Sequence, residues 1–356
     1  MLDKRRLHAS GSPPCTLLFV VALALTGCFS FWLHIDGSDS PMPYTSGVSA
    51  AGYLLKPPGN VTPSPQPYLL SELPSGDKST LIDIKDFRFT INHDPCNKTY
   101  PLLLMLVHSA PGNFLKRNVV RETWGQQSPD VVLLFLVGFS EEHQERIEEE
   151  NEKYKDLIQG SFLDVYRNMT YKHVMALKWA TYHCPSAKYI LKLDDDVFVH
   201  IPAMVEFLTR GLSPWGARRL ILCDLLSAGV VKRSWRSKWR VSPREYPGRR
   251  YPAYCSGWAI LYSPDSVFLL YREAQKEPYF WIDDVHITGT LARKLNLTQT
   301  SIHSLVLTTE NMRDLLSNPN SRREFLFGPP DLSENGIRAL QSLVTKPRPS
   351  SESLSN

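Results

Sequence analysis

Three aspartates in a row, Asp194, Asp195 and Asp196, follow Leu191-Lys192-Leu193 and precede Val197-Phe198-Val199. Adjacent carboxylates repel, so such a cluster at the end of a buried strand calls for compensation. A hard divalent cation would supply it, and an oxygen-ligated Mn²⁺ or Mg²⁺ can also bridge a diphosphate. Alternation along extended chain would set Asp194 and Asp196 on one side and Asp195 on the other. A solvated acidic turn or a calcium loop could use the same residues. An EF-hand, however, needs further oxygen ligands and a glycine, whereas Val197-Phe198-Val199 returns to apolar strand. A second acidic pair, Asp283-Asp284, opens a helix expected over 285–294. One aspartate can cap that helix while the other acts as general base toward a sugar hydroxyl.

Arg117 and Arg121 stand four apart on an expected helix and share a face, where forked donors could hold a phosphate or a base, or simply meet solvent. Residues 232–250 hold eight Lys or Arg against the single Glu245, interleaved with Trp235, Trp239 and Tyr246. That stretch reads as a loop for an anionic ligand or for sugar stacking, or as a basic surface loop.

These residues need a scaffold. The runs 102–107 (LLLMLV) and 131–137 (VVLLFLV) read as strands buried on both faces, and 190–193 is a third. Helices are expected over 114–124, stopping at Gly125, over 141–158 and over 170–183. The second of these, with i,i+4 pairs such as Glu142/Arg146, reads as a solvated acidic face without function. Alternating strands and helices predict an α/β domain with a mainly parallel central sheet and ligands beyond the C-terminal strand ends.

Residues 15–33 carry no charge, long enough to cross a hydrocarbon core of about 30 Å. Lys4, Arg5 and Arg6 precede the run and Asp36 and Asp39 follow, which predicts a type II signal anchor. A cleaved signal peptide at Ala22-Leu23-Ala24 and a lipidation box at Leu25-Thr26-Gly27-Cys28 compete, but the apolar run continues past both. The expected plan is a cytosolic tail (1–14), one N-terminal transmembrane helix (15–35), a Pro/Ser-rich stem (36–86), a catalytic domain (87–328) and a disordered tail (329–356). Asn60, Asn97, Asn168 and Asn296 are N-glycan acceptors by sequence. Beyond the anchor stand Cys96, Cys184, Cys223 and Cys255, an even number that suits an oxidising lumen and allows three pairings.

The 356 residues are 42% apolar and 11% aromatic, ordinary for a folded chain. Pro outnumbers Gly, 27 to 19, without a collagen-like period, and no solenoid repeat is present. A net charge of only +4 argues against nucleic acid as the main partner.

Four blocks, in order, resemble the β-1,3-glycosyltransferase family, which includes β-1,3-galactosyltransferases, β-1,3-N-acetylglucosaminyltransferases, the brainiac type and, more distantly, Fringe. Arg117 through Gly125 (RNVVRETWG) resembles R-x-x-I-R-x-T-W-G, and Tyr189 through Val199 resembles the strand bearing the D-x-D motif. Lys238-Trp239, Tyr246-Pro247 and Tyr251 through Gly257 (YPAYCSG) resemble the K-W, Y-P and Y-P-x-Y-C-S-G block. Asp283-Asp284-Val285 matches E/D-D-V, and Asn168-Met169-Thr170 sits where the family often has N-L-T. The resemblance spans roughly residues 93–315.

It implies a GT-A fold, a UDP-sugar donor, Mn²⁺ and inversion at the anomeric carbon. By position, Asp194 and Asp195 would lie beside the donor ribose and sugar, with Arg117 and Arg121 as further donor-binding candidates. Asp196 would be the direct metal ligand, with Asp194 a second candidate. Asp284 would be the base, with Asp283 in reserve, and His303 stands where some members place a metal-binding histidine. Trp258-Ala259-Ile260 departs from the usual C-S-G-x-G-Y, and the part after E/D-D-V is shorter than usual. The expected activity is transfer of galactose from UDP-galactose in β-1,3 linkage to a glycan on protein or lipid, at the Golgi membrane. UDP-N-acetylglucosamine is the alternative donor. A non-catalytic lumenal lectin would gain nothing from the carboxylates, and a metal-dependent phosphohydrolase would call for a second metal site.

Overall fold

The computed structural model describes residues 67–346, apart from 98, 127, 228, 319, 320 and 322. The expected cytosolic tail, membrane segment, Asn60 and stem residues 36–66 lie outside the described residues. Among those described, no helix is long and apolar enough to cross a membrane.

Eight strands form one sheet: β1 (Phe89–Ile91), β2 (Leu103–His108), β3 (Val131–Phe139), β4 (Leu157–Leu163), β5 (Tyr189–Asp194), β6 (Ile221–Leu226), β7 (Tyr254–Tyr262) and β8 (Thr300–Ser301). Their order is β1-β4-β3-β2-β5-β7-β6-β8. The central four, β4-β3-β2-β5, run parallel, but β7 is antiparallel to both β5 and β6, and β1 is antiparallel to β4. With β6 and β8 also parallel, four of the seven pairings are parallel, so the expected parallel centre is present within a mixed sheet. The helices are α1 (Phe114–Glu122), α2 (Gln144–Tyr154), α3 (Met169–His183), α4 (Ile201–Glu206), α5 (Pro264–Ala274), α6 (Val285–Leu291), α7 (Thr309–Ser317) and α8 (Glu334–Thr345). Helix α6 is π-wound and runs on into an α-helical turn at Ala292–Lys294.

The continuous apolar runs of β2 and β3 are explained by helices on both faces. Leu104, Leu106, Leu134 and Leu136 enter one core layer, which holds residues of α3 and α5. Leu103, Met105, Val107, Leu133 and Phe135 enter the opposite layer with residues of α1, α7 and α8. Helix 141–158 proves shorter than expected, because Ile158 is already inside β4.

Both expected ends of the catalytic domain move outward. Tyr68, Leu73 and Leu81, placed by composition in the stem, are buried in the core. Asp77 anchors the segment: its carboxylate accepts from Tyr182 (2.7 Å), Tyr271 and Gln275 (3.1 Å), and Lys178 Nζ donates to its carbonyl. Nor is 329–346 a disordered tail. Helix α8 starts at a Ser333 side-chain cap and buries Ile337 and Leu340. A polar-looking sequence concealed one apolar stripe.

Two disulfides, Cys96–Cys184 and Cys223–Cys255, resolve the open pairing. The second links β6 to the start of β7 beside the register break at Cys223/Leu225.

Candidate active site

The cleft lies beyond the C-terminal ends of β2 and β5, where β7 enters antiparallel. The strand β5 ends at Asp194, and Asp195 and Asp196 form a turn. Side-chain alternation therefore stops, and the expected grouping of Asp194 with Asp196 does not hold. Asp194 turns to Lys192, two residues earlier on the same side of the strand, at 2.7 Å. Asp195 and Asp196 instead share Lys116 of α1, whose Nζ lies 3.5 Å from Asp195 Oδ1 and 2.8 Å from Asp196 Oδ2. Asp195 is buried and also accepts from Ser109 Oγ (2.6 Å) and Asn113 Nδ2 (2.9 Å). The compensation that the carboxylates require is thus furnished in part by two lysines.

Lys192 is buried in a strand otherwise apolar, and sequence reasoning passed over it. Its ammonium meets Asp194, donates to the Gly257 carbonyl and is raised in pKa by the charges of Asp194, Asp283 and Asp284, against the penalty of burial. A lone lysine inside L-K-L-D was the available signal.

Asp283 and Asp284 are split between two environments. Asp283 Oδ2 lies 2.9 Å from His173 Nδ1 on α3. Burial works against its charge, yet the His173 hydrogen bond and Lys192 hold its pKa below the ordinary value. His173 itself is pushed down by burial, so at neutral pH it is an uncharged N–H donor. Asp284 Oδ1 accepts the Val285 N–H at 2.7 Å and caps α6. Its pKa is pushed up to about 7, first by burial and then by the charge of Asp283. One residue thus caps the helix and is also the better base candidate, a combination the sequence had divided between two. Thr288 ties this corner to β7: its hydroxyl donates to the Asp284 carbonyl (2.6 Å) and accepts from the Cys255 N–H (2.9 Å). Gly257 abuts the base, since a Cβ there would lie 3.4 Å from Asp284 Cβ.

Arg117 and Arg121 are both engaged by carboxylates of the protein itself. Arg117 is fully buried, bound to Glu150 (2.7 Å), Ser109 Oγ (2.8 Å) and the Ala110 and Pro111 carbonyls. Arg121 pairs with Asp156 and Glu150, each at 2.7 Å, and lies over the rings of Phe135 and Tyr154. Glu150, on the supposedly functionless acidic helix, is therefore buried between two arginines. Arg117 reaches the site only indirectly, through Ser109 to Asp195.

His303 is exposed and lies 3.3 Å from Asp224 Oδ1. Among the described residues no three His, Cys, Asp or Glu side chains gather to hold a metal, so His303, Asp194 and Asp196 are not one ligand set. The donor chemistry still fits a hard cation of the kind held by one or two carboxylates plus substrate phosphates. Asp196 would supply the oxygens, its side chain being 23% exposed.

Aromatic rings form the outer wall. Tyr166 lies 6.0 Å from Trp281, centroid to centroid, and hydrogen-bonds with the Trp239 side chain. Its pKa is raised by burial and by the charges of Asp283, Asp284 and Asp194.

Comparison with known proteins agrees with this cleft. Residues 115–303 match the family model described as galactosyltransferase, which takes in α1, the aspartate run and Asp283-Asp284. The chain is 32% identical to "Beta-1,3-galactosyltransferase 5" of Pan troglodytes, over 59% of this chain and 71% of that protein. It is equally 32% identical to "UDP-GalNAc:beta-1,3-N-acetylgalactosaminyltransferase 1" of Sus scrofa, over 62% and 67%. The same identity relates it to the Mus musculus "Lactosylceramide 1,3-N-acetyl-beta-D-glucosaminyltransferase", over 59% of each chain. The family match covers residues 115–303, which include both acidic clusters of this mixed α/β sheet domain. The chain belongs to the galactosyltransferase family and is a UDP-sugar-dependent β-1,3-glycosyltransferase.

Proposed function

We propose that the protein transfers galactose from UDP-galactose, with inversion, onto the 3-hydroxyl of a glycan, using Asp284 as general base. The observation that carries the reading is the placement of Asp284 at the start of α6 beside Asp283, which is held by His173; burial and the charge of Asp283 push the Asp284 carboxyl up to about 7. A base poised there can take a proton from a sugar hydroxyl at neutral pH without being permanently protonated. Lys192 and His173 keep Asp283 charged, so the pair divides its labour: one carboxylate fixed as an anion, the other free to exchange a proton.

On this reading Asp194 and Asp195 border the donor, and Asp196 would hold Mn²⁺. When bound, the ion neutralises charge on the departing diphosphate. Ser109 and Asn113 fix Asp195, while Lys116 keeps Asp195 and Asp196 together. Galactose is preferred over N-acetylglucosamine because the Tyr-Cys-Ser-Gly block leans toward galactosyltransferases, whereas relatives of equal identity are named for three different sugars. We further infer a GT-A arrangement, a signal anchor at 15–35 and residence in the Golgi membrane with the catalytic domain lumenal. Two disulfides suit an oxidising lumen. Asn97 and Asn296 are exposed and suited to N-glycans, while Asn168 donates to the Leu163 carbonyl at 2.8 Å and is half-buried.

The test is UDP release by the purified chain with a panel of UDP-sugars and glycan acceptors, with Mn²⁺ or with chelator. Metal-dependent release with UDP-galactose supports the reading. Release only with UDP-N-acetylglucosamine changes the donor, and binding without release makes the protein a lectin.

A further inference from the structure

The segment 230–251 is the most strongly charged part of the surface, and the reaction proposed above does not use it. Eight of its residues are Lys or Arg and one is Glu, so the rest of the chain carries a net negative charge. It is not a loose flap. Val231, Val241 and Tyr251 pack with Phe280, Trp281 and Val285 in a small separate core, on the same stretch that carries Asp283 and Asp284. Arg233 braces the interior of the loop by donating to the carbonyls of Val241 (2.8 Å), Tyr246 (2.6 Å) and Gly248 (2.8 Å). The lone Glu245 is occupied by the Ser242 N–H (2.7 Å) and by Arg167 (3.1 Å).

What remains points outward. Arg236, Lys238, Arg240 and Arg244 are exposed, and among the described residues none of them pairs with a carboxylate. Trp235 is 76% exposed and Trp239 46%, large values for indoles. Arg236 lies over the Trp235 ring at 5.1 Å and Lys238 over the Trp239 ring at 4.5 Å. Trp239 in turn meets Tyr166, which is 54% exposed and lies 6.0 Å, centroid to centroid, from Trp281, two residues before Asp283. The result is a row of exposed aromatic rings, each indole with a cation over one face and no carboxylate among the described residues paired to that cation, packed beside the stretch that carries the candidate base. Beside it, Arg167, Asn168, Glu245 and Trp281 border a cavity of about 300 Å³.

We propose that this loop recognises an acceptor glycan bearing an anionic group, a carboxylate or a sulfate ester, near the sugar that is extended. The inference rests on the transferase reading and adds the acceptor class. A sugar ring has an apolar face that lies on an exposed indole, and an acid on the same or next ring finds the cations beside it. Such unpaired surface charges act through long-range attraction and are screened by salt.

The experiment measures transfer by the full chain, with the donor found active, to matched oligosaccharides that are neutral, sulfated, or terminated by a uronic or sialic acid. The expected result at low salt is a KM for acidic acceptors about tenfold below that for the neutral one, a gap that narrows as salt is raised. The triple variant Arg236→Glu, Arg240→Glu and Arg244→Glu should abolish that preference while KM for the UDP-sugar and donor hydrolysis stay unchanged. The sulfated and carboxylated arms identify the acid. Equal use of neutral and acidic acceptors, or a raised UDP-sugar KM in the triple variant, overturns the proposal; the latter would assign the loop to the donor diphosphate. No UDP release with any acceptor or with water would instead sink the transferase reading itself.

Discussion

His173 Nδ1 and Asp283 Oδ2 lie 2.9 Å apart, joining the buried middle of α3 to the carboxylate beside the candidate base. Through that bond and Lys192, Asp283 stays ionised, and its charge helps push Asp284 up to about 7. On the proposed reading Asp283 tunes the base rather than taking the proton.

The pH dependence follows. A base works only when ionised, so kcat/KM should rise through about pH 7 and level off above it. Asp283→Asn removes the repelling charge, and the acid limb should move to lower pH. A limb that stays in place would separate Asp283 from the pKa of the base. Stability has the opposite sign. Because the folded pKa of Asp284 lies above its ordinary 3.8, its contribution favours the fold at low pH and fades as pH rises through about 7. Asp284→Asn should thus raise Tm by a few degrees near pH 8, with a gain that shrinks toward about pH 4.

Lys116 bridges the carboxylates of Asp195 and Asp196. Lys116→Met should leave Asp195 and Asp196 with more uncompensated charge and tighten Mn²⁺ binding several-fold, read by the loss of free-ion signal in electron paramagnetic resonance. Asp196→Asn should weaken it. Weaker binding in Lys116→Met would mean that the lysine organises the metal site instead.

Arg117 is predicted to matter for folding rather than for donor contact. Arg117→Lys keeps the charge but loses the forked contacts to Glu150, Ser109 and two carbonyls, so Tm should fall by several degrees. KM for the UDP-sugar should remain within about twofold of the parent, since no donor contact is lost. A large rise in KM at unchanged Tm would restore Arg117 to the donor site.

The segment before β1 should be indispensable. A chain starting at residue 87 lacks Tyr68, Leu73, Leu81 and the Asp77 anchor, and should fail to give a cooperative melt, whereas one starting at 67 should melt normally. Within the full chain, Asp77→Ala leaves Lys178 buried without its counter-charge and should cost about 3–5 kcal/mol. In a domain of this size that is a drop in Tm of roughly 10 °C.

Much of this architecture was legible in the sequence because its signals are local. Two-sided apolar runs marked β2 and β3, and the aspartates after β5 marked the cleft floor, as strand–helix alternation requires. The strands β6 and β7 were harder to read, since Asp224 and the polar start Tyr254-Cys255-Ser256 interrupt their apolar character. The antiparallel entry of β7 depends on pairing partners far apart in the chain. Arg117 and Arg121 misled for the same reason: their spacing fixed a shared face, but what that face meets was decided by Glu150 and Asp156 on another helix and its loop. Segment 68–86 looked like stem because it continues a Pro/Ser-rich run and contains Leu73-Pro74-Ser75-Gly76, yet three of its apolar residues and one carboxylate suffice to dock it.

The most direct measurement is single-turnover galactose transfer by Asp284→Asn beside calorimetric binding of UDP to the same protein with Mn²⁺ present. Loss of transfer by at least about a thousandfold with UDP affinity unchanged is the predicted outcome, because only proton removal from the acceptor is lost. Transfer that survives within about tenfold of the parent, or a parallel collapse of UDP binding, would contradict Asp284 as the base.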